Sequence, residues 1–260
     1  MNKFAGKTAL ITGASSGIGE SITHQLAKAG ANLILVARRE DKLQILKDTL
    51  EPEFGITVTV ISHDLAVDGS GQALYEKTKA LHLHVDILIN NAGYAKHGPF
   101  HDTPLETHLH MMHLLTTTFT ELTYLYTADM KQKGSGYVLL VASIAGFMPI
   151  PQFSTYAASK AFVLSLGESL NKELSAFGIN VTTLCPGGTA TEFMDISGQE
   201  ISGMRRHAIM TSDAVAKSGL RAMAKGNAVN VPGILYKLSM AGLRVVPRNL
   251  QALIGEAATK

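Results

Sequence analysis

Thr8-Ala9-Leu10-Ile11-Thr12-Gly13-Ala14-Ser15-Ser16-Gly17-Ile18-Gly19 is the stretch whose reading decides the fold. A short β-type run over Lys7–Thr12 feeds a glycine turn, and Glu20–Ala29 beyond it has helical character. Strand, glycine turn and helix in that order build an anion cradle. Glycine lets the backbone approach a pyrophosphate, and a helix start offers unpaired N–H groups and a partial positive charge. The spacing is G-x-x-x-G-x-G rather than the commoner G-x-G-x-x-G, so the flanking strand and helix carry the assignment.

Outward from this cradle, the pattern repeats. Asn32–Ala37 reads as a second strand, Thr57–Ser62 as a third and Asp86–Asn90 as a fourth. After a long helical stretch, Pro104–Met130, a fifth strand spans Tyr137–Ala142. A helix through Tyr156 continues to about Ala176, and Asn180–Leu184 is a sixth strand. Alternating strands and helices predict an α/β fold of three layers: a doubly wound, Rossmann-like parallel sheet with ligands outside the strand carboxyl ends. Each polar motif falls at such an end: Arg38-Arg39, His63-Asp64, Asn90-Asn91-Ala92-Gly93, Ser143, and Cys185-Pro186-Gly187 onwards. With no linker and no repeat, residues 1–260 read as a single domain, 192–260 contributing a lid and C-terminal helices.

Composition excludes several classes. Lys plus Arg is 23 against 21 for Asp plus Glu, too weak a bias for nucleic-acid binding. Cys185 is the sole cysteine, which excludes an internal disulfide and fits a reducing, cytoplasmic setting. The N-terminus lacks an apolar core of signal-peptide length. Gly134–Ser159 is uncharged over a membrane-length span, but Gly136, Gly146, Pro149 and Pro151 interrupt it, so no transmembrane segment is expected.

The second strand ends in two arginines where a unit preferring NAD has an acid, about 20 residues past the glycines. Guanidinium suits a 2′-phosphate by charge and by its forked donors, so Arg38 and Arg39 favour NADP(H). The alternative is a solvated basic turn, and Glu40 is the nearby acid that argues the other way. Asp64 is placed to accept from an adenine amino group or to cap the following helix. Tyr156-Ala157-Ala158-Ser159-Lys160 sets a phenol and an ammonium at i and i+4 on one helix face. A neighbouring cation moves a tyrosine pKa down from about 10 towards the working range.

Together these residues resemble the short-chain dehydrogenase/reductase family in its shorter, single-domain form. The likeness runs from about Lys7 to Thr191 and rests on T-G-x-x-x-G-x-G at Thr12–Gly19, N-N-A-G at Asn90–Gly93, Ser143, Y-x-x-x-K at Tyr156–Lys160 and P-G at Pro186–Gly187. It implies an NADP(H)-dependent oxidoreductase interconverting a carbonyl and a secondary alcohol on a hydrophobic or mid-sized small-molecule substrate. Ser143 would hold the substrate oxygen, Tyr156 would pass the proton, and Lys160 would bind the nicotinamide ribose and lower the tyrosine pKa. Gly13, Ser15, Ser16, Gly17, Ile18 and Gly19 would cradle the dinucleotide, with Asn91, Ala92, Gly93, Pro186, Gly187, Thr189 and Thr191 along its length. Homodimers or homotetramers are common in the family.

One departure concerns the long helix after N-N-A-G, where many members carry an asparagine that helps hold a relay water. Here the chain reads Met112-His113-Leu114, and His113 is either a spacer or itself a member of the proton relay. A dinucleotide-binding sensor with little chemistry is the competing reading. His101, His108, His110 and His113 lack metal-site spacing, so no metal is expected. Past P-G, Phe193, Met194, Ile196 and Met204 are candidate walls of a lid. The tail has no acid between Asp213 and Glu256 but carries Lys217, Arg221, Lys225, Lys237, Arg244 and Arg248, with a surface helix expected over Tyr236–Leu250. Such a basic amphipathic end suits anionic lipid, or else a subunit contact or lid.

Overall fold

Successive side chains of the central strands point to opposite faces of the sheet, and both faces are apolar. Leu10 of β1 (Thr8–Thr12), Ile34 and Val36 of β2 (Asn32–Ala37), and Leu88 of β4 (Ile87–Asn90) enter one core. Their neighbours Ala9, Ile11, Leu33, Leu35, Ile87 and Ile89 enter the other. This two-sided burial is what a parallel sheet covered by crossover helices requires. In the computed structural model, which describes residues 2–198 and 209–257, the seven strands of that sheet run parallel in the order β3-β2-β1-β4-β5-β6-β9.

Here β3 is Val58–Ser62, β5 Gly136–Val141, β6 Ile179–Leu184 and β9 Val229–Asn230. Helices α1 (Gly17–Lys28), α2 (Glu40–Phe54) and α8 (Ser212–Lys225) cover one face. Helices α3 (Ser70–Ala80), α4 (Leu105–Met112), α5 (Phe119–Lys133) and α6 (Ser154–Ser175) cover the other. The strand order reverses between β1 and β4, the crevice where such sheets bind ligands. A two-stranded extra sheet pairs β7 (Thr189–Ala190) with β8 (Met210–Thr211), flanking the short helix α7 (Glu192–Ser197).

The six expected strands are present to within a residue at either end. The seventh was not expected: β9 is two residues long, aligned through Thr183 and Leu184 of β6, and carries no periodic signal. The long helical stretch is also not uniform. Between α4 and α5, residues His113–Thr118 form a π-helical turn, which changes the phase of every side chain in it. The single surface helix expected over Tyr236–Leu250 is instead two, α9 (Ile234–Leu243) and α10 (Arg248–Ala257). Pro247 separates them, because proline has no N–H to give a continuing helix and suits a helix start.

Candidate active site

The glycine cradle is built by close approach. Gly13 and Gly17 have φ of +67° and +59°, a region open to glycine. A Cβ on Gly19 would fall 2.2 Å from Gly13 O, so that residue is confined to glycine by contact rather than by φ. Ser16 caps α1 with extended backbone and makes no side-chain cap bond, which leaves the first N–H groups of the helix facing outward. Thr12 ties the cradle to N-N-A-G. Its hydroxyl donates to Ile89 O (3.2 Å) and accepts from the N–H groups of Asn91 (2.8 Å) and Ala92 (3.0 Å). Asn91 Nδ2 returns a bond to Thr12 O at 2.9 Å. These residues fit the pyrophosphate and ribose of a dinucleotide.

A cavity of about 810 Å³ runs along the carboxyl ends of the strands. Every site residue expected from the sequence lines it except Gly19, which packs behind Gly13, and His113. At one end lie the cradle and Arg38-Arg39, and at the other lie Ser143, Tyr156 and Lys160. Ser143, two residues past β5, is extended and accepts from Ala145 N–H at 3.1 Å, which starts a short 3-10 turn over Ile144–Phe147. That turn is pressed onto α6: a Cβ on Gly146 would sit 2.7 Å from Lys160 O. The serine and the Tyr156–Lys160 helix are thereby fixed to each other by backbone contact.

Electrostatics in this corner depart from the sequence expectation. Burial pushes the Tyr156 phenol up to about 12, and the Ser143 hydroxyl beside it pulls in the opposite direction. The lowering expected from Lys160 is not what dominates. Lys160 donates to Val141 O at 2.7 Å, its Nζ is 5.7 Å from the Tyr156 ring centre, and burial brings its own pKa down to about 7. Burial thus acts on both groups, and the Ser143 hydroxyl rather than the Lys160 ammonium is what pulls the phenol down. Cys185 is buried, with its thiol pushed up to about 12, and packs as a small core residue.

Of the two readings open for His113, its contacts fit the spacer. Its ring pairs with Val67 O (3.0 Å) and Asp68 (3.2 Å) on the loop after β3, away from Lys160. The residues of this helical stretch that do line the cavity are Leu114 and His110. The π-helical turn shifts the phase of the side chains across it, and Leu114 lines the cavity where His113 does not. The other histidines also diverge: His108 bonds Phe100 O and Thr155, while His101 lies against the Phe100 ring.

Two participants, Glu192 and Tyr236, carried no clear sequence signal, and a third, Thr12, was quoted in its motif without a role. Glu192, at the start of α7, bonds Arg39 (2.8 Å) and Lys42 (2.9 Å), and these partners hold its carboxyl down to about 2. Arg39 also donates to Ser15 Oγ at 3.1 Å, so it spans cradle and lid. Tyr236 reaches in from α9 and its hydroxyl accepts from Gly188 N–H at 3.1 Å, while its ring occupies the space a Cβ on Gly187 would need. Thr12 could have been found from the T-G that opens the motif, but nothing local marks Tyr236. Of the expected lid walls, the Phe193 ring lies 5.6 Å from Tyr156. The side chains of Met194 and Ile196, and Met204 as a whole, lie outside the described residues.

The short chain dehydrogenase family profile matches residues 7–201. A Drosophila melanogaster dehydrogenase/reductase SDR family protein 7-like is 34% identical over 194 residues, 74% of this chain but only 60% of the fly protein. Among solved structures, a short-chain dehydrogenase from Sphingobium yanoikuyae in complex with NADPH is 32% identical with a TM-score of 0.82, covering 95% of this chain and 98% of its own. A bulky-bulky ketone specific alcohol dehydrogenase from Comamonas testosteroni is 28% identical with a TM-score of 0.77, covering 93% and 95%. With the family profile spanning residues 7–201 and the solved neighbours sharing its fold, the chain belongs to the short-chain dehydrogenase/reductase family of oxidoreductases.

Proposed function

We propose that the protein is an NADP(H)-dependent oxidoreductase interconverting a carbonyl and a secondary alcohol on a hydrophobic or mid-sized substrate. The observation that carries this reading is the meeting of Ser143, Tyr156 and Lys160 in the cavity whose other end is the glycine cradle. The dinucleotide, when bound, supplies or accepts the hydride. Gly13 and Ser15–Ile18 would hold its pyrophosphate, Asp64 its adenine, Asn91–Gly93 and Lys160 its riboses, and Pro186–Thr191 its carboxamide. Arg38 and Arg39 would hold the 2′-phosphate, a preference supported by the NADPH in the Sphingobium neighbour.

Ser143, oriented by Ala145 N–H, would hold the substrate oxygen. With its pKa near 12, Tyr156 keeps its proton at neutral pH and donates it as that oxygen gains charge. Lys160, near 7, is poised to take up or release a proton behind it. His113 is left out of this relay by its pairing with Val67 and Asp68. Leu114, Met148, Ile150, Phe153 and Phe193 give the substrate end apolar walls.

NADPH oxidation against a panel of ketones, aldehydes and quinones tests the reading, with Tyr156→Phe as control. The variant is expected to keep NADPH affinity and lose turnover by roughly 10²–10⁴-fold. Near-normal rates in Tyr156→Phe would remove the tyrosine from this role, and no turnover on any substrate would leave a dinucleotide sensor.

The protein is further proposed to self-associate through α4, α5 and α6, as a homodimer or homotetramer. Exposed Met112, Tyr124 and Phe162 border a groove there, with Tyr124 73% exposed. The lone, buried Cys185 suits the cytoplasm.

A further inference from the structure

Helix α9 is apolar on two sides. Tyr236, Met240 and Leu243 face inward, the last two packing on Met148 with Ile144, Phe147 and Ile150 around them. Ile234, Leu235 and Leu238 face out, Leu238 being 63% exposed. Beyond the helix, Val245 is 86% exposed, and α10 adds Leu250, Leu253 and Ile254 at i, i+3 and i+4. The hairpin is a built unit. Gln251 Nε2 donates to Leu243 O (3.0 Å) and Val246 O (2.8 Å), and Gly255 packs so closely that a Cβ would lie 2.2 Å from Pro149 O.

Charge on this unit has one sign for most of its length. Exposed Lys237, Arg244 and Arg248 lie among the apolar side chains, and no acid occurs between Asp213 and Glu256. Lys217, Arg221 and Lys225 do not belong with them, because they lie on α8, which packs beside α1 over the opposite face of the sheet. The relevant surface is therefore three bases ringed by seven outward apolar side chains. Long basic side chains with apolar stems suit the boundary between lipid headgroups and acyl chains. No helix among the described residues is long and apolar enough to cross a membrane, so the fitting mode is to lie on one.

We propose that α9, the Val245 link and α10 form a surface that docks the protein on an anionic lipid bilayer. Tyr236 lines the cavity from the inner side of the same helix. A docked molecule would thus hold its cavity about one helix diameter, ~10 Å, from the lipid. Docking of this surface does not depend on which reaction the cavity runs, and vesicle binding is read without turnover.

The test is flotation of the full chain with vesicles of phosphatidylcholine alone and of phosphatidylcholine mixed with phosphatidylserine, at low and high salt. Binding is expected to the mixed vesicles, to weaken in high salt and to be poor on phosphatidylcholine alone. Combined Leu235→Gln, Leu238→Gln and Leu253→Gln should lower the affinity by at least roughly tenfold. Lys237→Gln, Arg244→Gln and Arg248→Gln should each lower it roughly fivefold. All six side chains are exposed, so unchanged melting temperatures are expected and are measured alongside. Absence of wild-type binding, or binding untouched by the leucine changes, would overturn the proposal. So would an oligomer that binds no vesicles and dissociates in the leucine variant, which would make a second copy the occupant of this face.

Discussion

Lys160 is held where solvent cannot reach it, its Nζ bonded to Val141 O with the Phe119 ring 5.4 Å away. Burial disfavours the ammonium, which is why its pKa falls to about 7. Stability should carry the mark of that shift. Between about pH 7 and 10.5 the unfolded lysine still binds its proton while the folded one has lost it, so the unfolded state binds more protons and stability rises with pH. Urea unfolding of wild type and Lys160→Met at several pH values checks this. The wild type should gain up to about 1.4 kcal/mol per pH unit relative to the variant in that window. Parallel curves would mean that the lysine is not held near neutrality. Sequence identified the Tyr156–Lys160 pair by its i, i+4 spacing, but not the direction of the phenol's shift. Burial is a property of the surrounding shell, and five residues do not specify it.

At the scale of elements, the link between α7 and the cradle is the ion pair of Glu192 with Arg39 and Lys42. All three side chains are about 40% exposed, so the pairs are screened and weak. A 2′-phosphate would compete with the Glu192 carboxylate for Arg39. Glu192→Gln is therefore expected to tighten NADPH binding by up to roughly fivefold with little effect on NADH. Arg38→Ala, on the cavity rim, should weaken NADPH more than NADH. Isothermal titration of both nucleotides reads both changes, and equal shifts for NADH and NADPH would overturn the arginine assignment. The strand–glycine–helix unit that opens the chain was legible because its apolar run and glycines are adjacent in sequence. The π-helical turn was not, since His113–Thr118 differs from its flanks in hydrogen bonding rather than in composition, and sequence alone therefore left His113 open between a spacer and a member of the relay.

At the scale of the whole molecule, exposed apolar side chains among the described residues gather at the groove at Tyr124 and Phe162 and on the α9–α10 hairpin. Thr155 and Ser159 of α6 line that groove while Tyr156 and Lys160 of the same helix line the cavity, so pairing across it would also brace the reacting side chains. Tyr124→Glu with Phe162→Glu should yield a monomer by light scattering, because a charge buried without a partner costs several kcal/mol. A monomeric wild type would dismiss this contact. The sequence by itself determined the layered sheet and the positions of its ligand-facing ends. Those follow from local periodicity and glycine chemistry, which act between near neighbours. Tertiary structure alone decided that Tyr236 reaches Gly188, that Glu192 holds Arg39, and that the C-terminal bases divide between opposite faces. Such contacts join residues far apart along the chain, and only the packing of α7, α8, α9 and α10 around the finished sheet brings them together or keeps them apart.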